Sequence, residues 1–135
     1  MAAVEVRWRR DGLRFEGKTA HGAINLAASS DEQGSGATPM EALLVALGGC
    51  TGMDVASILV KMRQPLAEFW LEVNGQKADE HPKRFTAIEV VYHLKGDLDE
   101  TKVRRAIELS ETKYCSVEAT LRPALPITSR YVIES

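Results

Sequence analysis

The feature that most constrains the fold is a helix start followed by a long apolar run. The segment TPME at residues 38–41 supplies an N-cap threonine, a proline at the first helical position and a glutamate three residues after the cap, which is the pattern of a capping box. Because Pro65 forbids continuation, the pattern predicts a helix from here to about Arg63. Its first half is apolar all round, so we expect it to be buried on every side. One small sheet cannot cover such a helix, which favours a dimer.

Alternating apolar and polar residues predict strands on both sides of this helix. Two strands joined at Asp11-Gly12 and a third strand precede it, and two strands, a second helix and a last strand follow it. This order favours an α+β fold with antiparallel sheets around a long buried central helix, in one domain over residues 1–135. The residues that mark the strands are Val4, Val6, Trp8, Leu13, Phe15, Ile24, Leu26, Phe69, Leu71, Val73, Thr86, Ile88, Val90, Tyr92, Leu94, Tyr131, Val132 and Ile133.

The local sequence pattern also predicts two loops or turns, a helix cap and the apolar face of the second helix. Residues 29–37 form a polar, glycine-rich loop, and Asn74-Gly75 turns the chain or starts a loop. Asp97 or Asp99 caps the second helix. The residues expected on one face of that helix are Val103, Ala106, Ile107 and Tyr114.

Composition excludes several classes of protein. The chain has 135 residues, 44% of them hydrophobic, and a formal net charge of −2, which suits a globular domain and argues against nucleic-acid binding. The first ten residues carry charge without an apolar core of signal-peptide length. The longest apolar stretch, residues 43–47, is too short to span a bilayer. We therefore expect a cytoplasmic protein that binds neither membrane nor nucleic acid.

The two cysteines are the residues best suited to chemistry. In a reducing compartment a lone pair is more often free, metal-bound or catalytic than a structural disulfide. The cysteines and the three histidines show no metal-ligand spacing such as C-x-x-C. A zinc site is therefore not expected. Whether Cys50 and Cys115 meet in space cannot be read from the sequence, since a disulfide needs Cα atoms within about 7 Å.

Each cysteine has a structural and a functional interpretation. Cys50 lies in the predicted helix among Gly48, Gly49 and Gly52, each of which costs about 1 kcal/mol against alanine. The glycines indicate close approach of another element or a ligand, with Cys50 as a small buried residue or a reactive thiol. If residues 116–121 form a short helix, Cys115 lies at its N-terminus, where the helix dipole would lower the thiol pKa. Otherwise Cys115 is an ordinary loop cysteine.

Two charged residues are candidates for activating a thiol. Glu41 either closes the capping box or positions an arginine, and it lies roughly 13.5 Å along the helix from Cys50, too far for direct contact. Arg10, beside the first turn, is either a solvated arginine or a cation that lowers a thiol pKa. Asp54 and Ser57 share the helical face of Cys50 and could contact it or satisfy buried polar groups.

The two cysteine segments together resemble the OsmC/Ohr family. TPMEALLVALGGCTGMDVASIL is similar to the central helix of these proteins, and KYCSVEATL is similar to their second cysteine motif. The opening hairpin with Arg-Asp-Gly also has a counterpart there. The wording of the central helix most resembles the YhfA-like branch of the family.

This resemblance implies an intertwined homodimer that acts as a thiol peroxidase in oxidative stress defence. It implies that Cys50 attacks an organic hydroperoxide and that Cys115 closes a disulfide, with Arg10 and Glu41 activating the thiolate. It implies no metal, haem or flavin, and an external dithiol reductant such as dihydrolipoamide. The apolar side chains expected to line a pocket for the hydroperoxide are Leu43, Leu47 and Met53.

One departure from the family pattern leaves a second interpretation open. In the peroxidases the acid follows the proline directly, whereas here Met40 takes that place and Glu41 comes one residue later. One residue is a rotation of about 100° on a helix, so the glutamate could point away from the thiol. The alternatives are a non-catalytic binding or redox-sensing protein, or a protein in which both cysteines only fill the core. Tyr114, before Cys115, is another position where related sequences often carry histidine.

Overall fold

A computed structural model describes residues 1–31 and 35–135. The elements are β1 Glu5–Trp8, β2 Arg14–Lys18, β3 Ala23–Ala27, α1 Pro39–Lys61, β4 Glu68–Lys77, β5 Phe85–Lys95, α2 Glu100–Leu109, α3 Ser116–Leu121 and β6 Ile127–Glu134, with a π-helical segment, Ser110–Tyr114, between α2 and α3. The predicted order of strands and helices is confirmed, and the fold is α+β. The predicted loop at 29–37 includes residues 32–34, which lie outside the described residues.

The chain divides into two compact units, Met1–Leu43 and Leu44–Ser135. The first unit holds an antiparallel sheet in the order β1-β2-β3. Its first turn contains Arg10 and Gly12, both with positive φ, at 61° and 60°, so the predicted turn at Asp11-Gly12 is confirmed. The extent of a single domain over 1–135 stays a prediction.

The second unit holds a sheet in the order β4-β5-β6. Here the prediction of antiparallel sheets is wrong in part, because β5 and β6 are parallel. The chain between these strands forms α2, the π-helical segment and α3, and a crossover of this length returns the chain in the same direction. The core of this unit is β5, whose Ile88, Val90, Val91, Tyr92 and Leu94 are buried.

The predicted turn at Asn74-Gly75 is wrong. Both residues lie inside β4 and pair with Glu89 and Ile88 of β5. A Cβ atom on Gly75 would overlap the Phe85 ring. The glycine therefore serves a close contact across the sheet rather than a reversal of the chain.

Helix α1 begins with the predicted capping box. The Thr38 N–H donates to Glu41 Oε1 at 2.9 Å, and the Glu41 N–H donates to Thr38 Oγ1 at 3.1 Å. The helix ends two residues before the predicted Arg63. It is not buried on every side within the chain. Its buried residues form one stripe, Leu47, Thr51, Val55 and Leu59, whereas Val45, Met53 and Val60 are 69%, 76% and 67% exposed.

By length and composition, α1 is also the one helix among the described residues that could cross a membrane. The uninterrupted apolar stretch at 43–47 is too short for a span, whereas the whole helix is long enough. Core helices of soluble proteins pass the same test, so this property is weak evidence of a membrane span. The cytoplasmic location stays a prediction.

Candidate functional site: a pair of adjacent thiols

Cys50 lies half-buried in the middle of α1, where the helix packs closely on β4. A Cβ atom on Gly48 would lie 2.9 Å from Val73 Cγ2, and one on Gly52 would lie 3.1 Å from Leu71 Cδ1. These two glycines therefore allow the helix to approach the strand, as their clustering predicted. At Gly49, apart from the adjacent residues and the backbone of the helix itself, no atom of the described residues lies within 4 Å of such a Cβ.

Cys115 is the N-cap of α3, and the conditional prediction of a short helix over 116–121 is confirmed. Its Sγ accepts a hydrogen bond from the Glu118 N–H at 3.4 Å. Its own N–H donates to the Ser110 carbonyl oxygen at 2.8 Å, which closes the wide turn of the π-helical segment. Tyr114 is 51% exposed and does not lie on the buried face of α2. The reason is that hydrogen bonds in a π-helix join residues five positions apart, which changes the rotation per residue.

The fold brings the two thiols together. The sulfur atoms of Cys50 and Cys115 and a carboxylate oxygen of Asp54 all lie within 4.8 Å of one another. Both cysteines are free thiols. Asp54 was one of two residues expected near Cys50, and the other, Ser57, is exposed.

The predicted lowering of the Cys115 pKa is wrong. Burial, with smaller contributions from the neighbouring Cys50 and Glu118, raises the pKa of this thiol to about 12. The N–H bond from the helix start acts in the opposite direction. Because only 3% of Cys115 is exposed, the loss of hydration outweighs the favourable effect of the helix N-terminus. Cys115 is therefore protonated at neutral pH.

Glu118 is a buried acid that the sequence reasoning missed. It is 2% exposed, and burial raises its pKa while a 2.6 Å hydrogen bond from Arg122 lowers it. The signal was present in the spacing, since Glu118 lies three residues after the Cys115 cap and four before Arg122. Arg122 also donates to the Glu111 carbonyl oxygen at 3.0 Å.

Three buried hydroxyl groups beside the thiols were also missed. They belong to Thr51, Tyr92 and Ser110, each with 0% exposure. Ser110 Oγ donates to Asp54 Oδ2 at 3.0 Å, which ties the hydroxyls to the carboxylate nearest the sulfurs. No periodicity reveals this arrangement, because the groups come from α1, β5 and the π-helical segment.

The cluster of Cys50, Asp54 and Cys115 is compact enough to hold a metal ion. The absence of metal-ligand spacing along the chain does not bear on groups that meet only in space. Two adjacent thiols are equally what a dithiol redox site requires.

Arg10 and Glu41 belong to the first unit, whereas both cysteines belong to the second. Glu41 is engaged in the capping box with Thr38. The guanidinium of Arg10 lies 6.0 Å from the centroid of the Trp8 ring, in an exposed turn. The capping role of Glu41 is confirmed, and the activating roles of both residues stay predictions.

Comparisons with known proteins define the class of fold. The crystal structure of a hypothetical protein from Aquifex aeolicus VF5 has a TM-score of 0.84 and 34% identity, covering 100% of this chain and 98% of that one. The organic hydroperoxide resistance protein OhrB of Bacillus subtilis has a TM-score of 0.64 at 17% identity, covering 98% of each chain, and this likeness shows the fold alone. The architecture is therefore an OsmC-like fold with two small sheets and a long central helix.

Sequence comparison identifies the family. The family model described as OsmC-like protein matches residues 30–130. The chain is also 38% identical to YhfA of Escherichia coli strain K12 over 130 residues, which is 95% of each protein. The chain belongs to the OsmC-like family, and the resemblance seen in its two cysteine segments is confirmed.

Proposed function

We propose that this protein is a thiol-dependent peroxidase that reduces organic hydroperoxides. The observation that carries the proposal is the placement of two free thiol sulfurs within 4.8 Å of each other. Since a disulfide has a sulfur–sulfur bond of about 2.0 Å, the two atoms have to approach by roughly 3 Å at most. The Bacillus subtilis structural neighbour is named as an organic hydroperoxide resistance protein, which supports the choice of substrate class.

The reaction proceeds by two thiol steps and a reduction. The Cys50 thiolate attacks the O–O bond and becomes a sulfenic acid, while the alkoxide that leaves takes up the proton lost by the thiol and departs as an alcohol. The Cys115 thiol then displaces the hydroxyl group from Cys50, so that a disulfide forms and water leaves. An external dithiol such as dihydrolipoamide is oxidised to its disulfide and restores both thiols.

Exposure supports this division of roles. Cys50 is half-buried, whereas Cys115 is 3% exposed and keeps its proton at neutral pH. A hydroperoxide therefore reaches Cys50 more readily. Cys115 is suited to the second step, which happens only after the first has produced a sulfenic acid beside it.

The predicted pocket lining has to be corrected. Leu47 is fully buried in the helix stripe, and Met53 is 76% exposed. Because these two residues lie six positions apart on α1, they point to different sides of the helix and do not line one pocket within a single chain. The preference for apolar hydroperoxides therefore rests on the family resemblance.

A single substitution separates the two roles of Glu41. Glutamine at this position preserves a capping box, so Glu41→Gln keeps the helix start and removes the charge. If the carboxylate activates the thiol with Arg10, the variant oxidises Cys50 more slowly while its unfolding free energy stays within about 0.5 kcal/mol of wild type. An unchanged rate would leave Glu41 as a capping residue alone.

The remaining parts of the proposal concern assembly and location. A homodimer would cover the exposed apolar side chains of α1, Val45, Met53 and Val60. A reducing cytoplasm would keep both thiols ready for peroxide. Light scattering on the purified protein tests the dimer, and a monomer at micromolar concentration would contradict it.

One observation favours a second candidate, a redox sensor with slow turnover. The raised pKa of Cys115 leaves little thiolate to attack the sulfenic acid at neutral pH. A sensor would therefore oxidise once and be reduced slowly. Turnover with a dithiol distinguishes the sensor from the peroxidase.

The decisive experiment is a single-turnover thiol count. The reduced protein receives one equivalent of cumene hydroperoxide per chain, and free thiols and intact mass are followed with time. The peroxidase loses both thiols within seconds and gains an intramolecular disulfide, which dihydrolipoamide then reduces in a coupled assay. Two thiols that remain free for minutes would contradict the proposal.

A further inference from the structure

A continuous line of hydrogen-bonding groups leads away from the thiol pair. Ser110 Oγ lies 3.0 Å from Asp54 Oδ2 and 2.8 Å from Thr51 Oγ1. Thr51 Oγ1 lies 2.8 Å from the Tyr92 hydroxyl, which lies 3.1 Å from Glu111 Oε2. We refer to this set, Asp54–Ser110–Thr51–Tyr92–Glu111, as the hydroxyl line.

The middle of the hydroxyl line is closed to solvent, whereas its ends are not. Thr51, Ser110 and Tyr92 have 0% exposure, so bulk water does not reach them. Asp54 and Glu111 are both half-buried. The hydrogen bonds that cross this part of the protein therefore run through the three side-chain hydroxyls.

The hydroxyl line can take up one additional proton. Among the described residues, it contains four contacts between neighbouring oxygens, and the three hydroxyl groups supply three protons. When both carboxylates are ionised, Ser110 and Tyr92 donate outward and Thr51 can donate to only one of its two neighbours. One contact lacks a proton, and a proton entering at either end fills it.

The two ends of the line meet different surroundings. At one end, Asp54 lies within 4.8 Å of both sulfurs. At the other end, Glu111 accepts a hydrogen bond from Ser129 Oγ at 3.1 Å and borders an open cavity of about 440 Å³. The line therefore connects a buried thiol with a place where a proton can exchange with solvent.

We propose that the hydroxyl line is a proton relay, in which Asp54 accepts the proton that a thiol loses and Glu111 releases a proton at the far end. Its part in peroxide reduction rests on the function proposed above. Each group passes one proton to the next, so a proton enters at Asp54, another leaves at Glu111, and no charge accumulates between them.

The relay serves both thiol steps with protons in balance. When Cys50 ionises, its proton goes to Asp54, and the reverse transfer supplies a proton to the leaving alkoxide. When Cys115 attacks the sulfenic acid, Asp54 takes the Cys115 proton and a proton returns to the leaving hydroxide, which departs as water. Two further charged groups lie on the side of α3: Glu118, whose charge acts on Cys115 and Tyr92, and its partner Arg122. Burial raises the pKa of Tyr92, so this phenol stays protonated and can conduct.

The test uses disulfide closure with a reagent that is not a peroxide. Dithiodipyridine reacts with the Cys50 thiol, forming a mixed disulfide and releasing one thiopyridone. The Cys115 thiol then attacks the Cys50 sulfur, so that the internal disulfide forms and a second thiopyridone leaves with the balancing proton. The rate of the second release reports how fast Cys115 loses its proton, whether or not the protein reduces peroxides.

Two variants break the line at different joints. Thr51→Val and Tyr92→Phe each remove one hydroxyl with little change of shape. We expect the rate of the second thiopyridone release to fall about tenfold or more in both variants, within the range of general acid–base effects. In wild type this rate should be slower in D₂O than in H₂O, and the two variants should lose that difference. Thr51→Ser keeps a hydroxyl and should restore the rate. Thr86→Val, which removes a hydroxyl bonded to the Gln76 carbonyl on the same sheet, should match wild type.

The outcomes separate this inference from the proposed function. Rates within twofold of wild type in both line-breaking variants would overturn the relay, and so would an equal loss in Thr51→Ser and Thr86→Val. If Thr51→Val does not fold, Tyr92→Phe alone decides. Failure of the wild-type protein to react with cumene hydroperoxide would contradict only the peroxidase, since closure with dithiodipyridine would still measure the relay.

Discussion

The surroundings of Cys50 and of Cys115 differ although their sulfurs are neighbours. Cys50 lies within a long helix that approaches β4 closely through Gly48 and Gly52, and its side chain is half-buried. Cys115 caps a short helix, accepts a backbone N–H and is 3% exposed. A helix start favours a thiolate, yet the pKa of Cys115 is raised to about 12 by its burial.

The comparison teaches that capping geometry alone does not make a thiol reactive. The N–H bond to Cys115 lowers its pKa, and burial together with Glu118 and Cys50 raises it by more. A thiol that keeps its proton is protected from direct oxidation, whereas one that is partly exposed can meet a substrate. The protein therefore places an accessible thiol, Cys50, next to a buried and protonated thiol, Cys115.

Removing each thiol in turn tests most directly whether Cys50 and Cys115 have different roles. We expect Cys50→Ser to lose peroxide consumption by at least about 100-fold, since the loss of a nucleophile removes the covalent step. Cys115→Ser should keep the first oxidation within a few-fold of wild type and accumulate a sulfenic acid, which dimedone traps. Stopped-flow consumption of cumene hydroperoxide measures both. Equal losses in the two variants would remove the division of roles.

The raised pKa of Cys115 also predicts a dependence of stability on pH. The folded thiol ionises near pH 12 and an unfolded one near pH 8.5, so its contribution is full below about pH 8.5 and is lost as the pH rises towards 12. The slope is at most about 1.4 kcal/mol per pH unit. Urea unfolding between about pH 7 and pH 10 should show it, and Cys115→Ser should flatten it. If the unfolding free energies of wild type and Cys115→Ser change equally with pH, Cys115 is not desolvated in the folded protein.

Alanine substitutions at two glycines beside Cys50 test how closely α1 packs on β4. Gly49→Ala should stabilise the protein by about 1 kcal/mol, because alanine is the better helix former and the new Cβ would meet no described atom within 4 Å beyond the adjacent residues and the helix's own backbone. Gly48→Ala should destabilise it by about 1 kcal/mol, because the Cβ would lie 2.9 Å from a methyl of Val73, whose side chain is stiff. Thermal unfolding compares them. Stabilisation by both would show that the helix can move off the strand.

The smallest effect concerns the charge of Glu118. Because this carboxylate is one of the groups that raise the pKa of Cys115, Glu118→Gln should lower that pKa. In a Cys50→Ser background, alkylation by iodoacetamide at about pH 9 should become roughly three- to tenfold faster. Glu108→Gln changes an exposed acid that pairs with Arg105 and serves as the control. An unchanged rate in Glu118→Gln would show that the charge of Glu118 does not contribute to the raised pKa of Cys115.

The sequence predicted those parts of the molecule whose cause is local. The capping box at Thr38 and Glu41, the short helix after Cys115 and the cap of α2 at Asp99 follow from side chains near in sequence. The strand through Asn74-Gly75 was missed because a partner strand, not the local turn preference, decides it. The resemblance to a known family supplied the expectation that the two cysteines act together.

The chemistry of the site was harder to predict, because it depends on burial and on contacts between distant segments. The sign of the Cys115 pKa change follows from desolvation, which spacing does not reveal. Thr51, Tyr92 and Ser110 read as ordinary polar residues until three elements bring their oxygens within hydrogen-bonding distance. Tyr114 was misplaced because the π-helical segment interrupts the period of α2.

That wide turn at Ser110–Tyr114 has a consequence for how the helical segments follow one another. A π-helical turn holds one residue more than an α-helical turn. Deleting one residue here would restore the α-helical period and rotate Ser110 by about 100° relative to the Cys115 that follows. A different side chain would then accompany the second thiol, even with both cysteines kept.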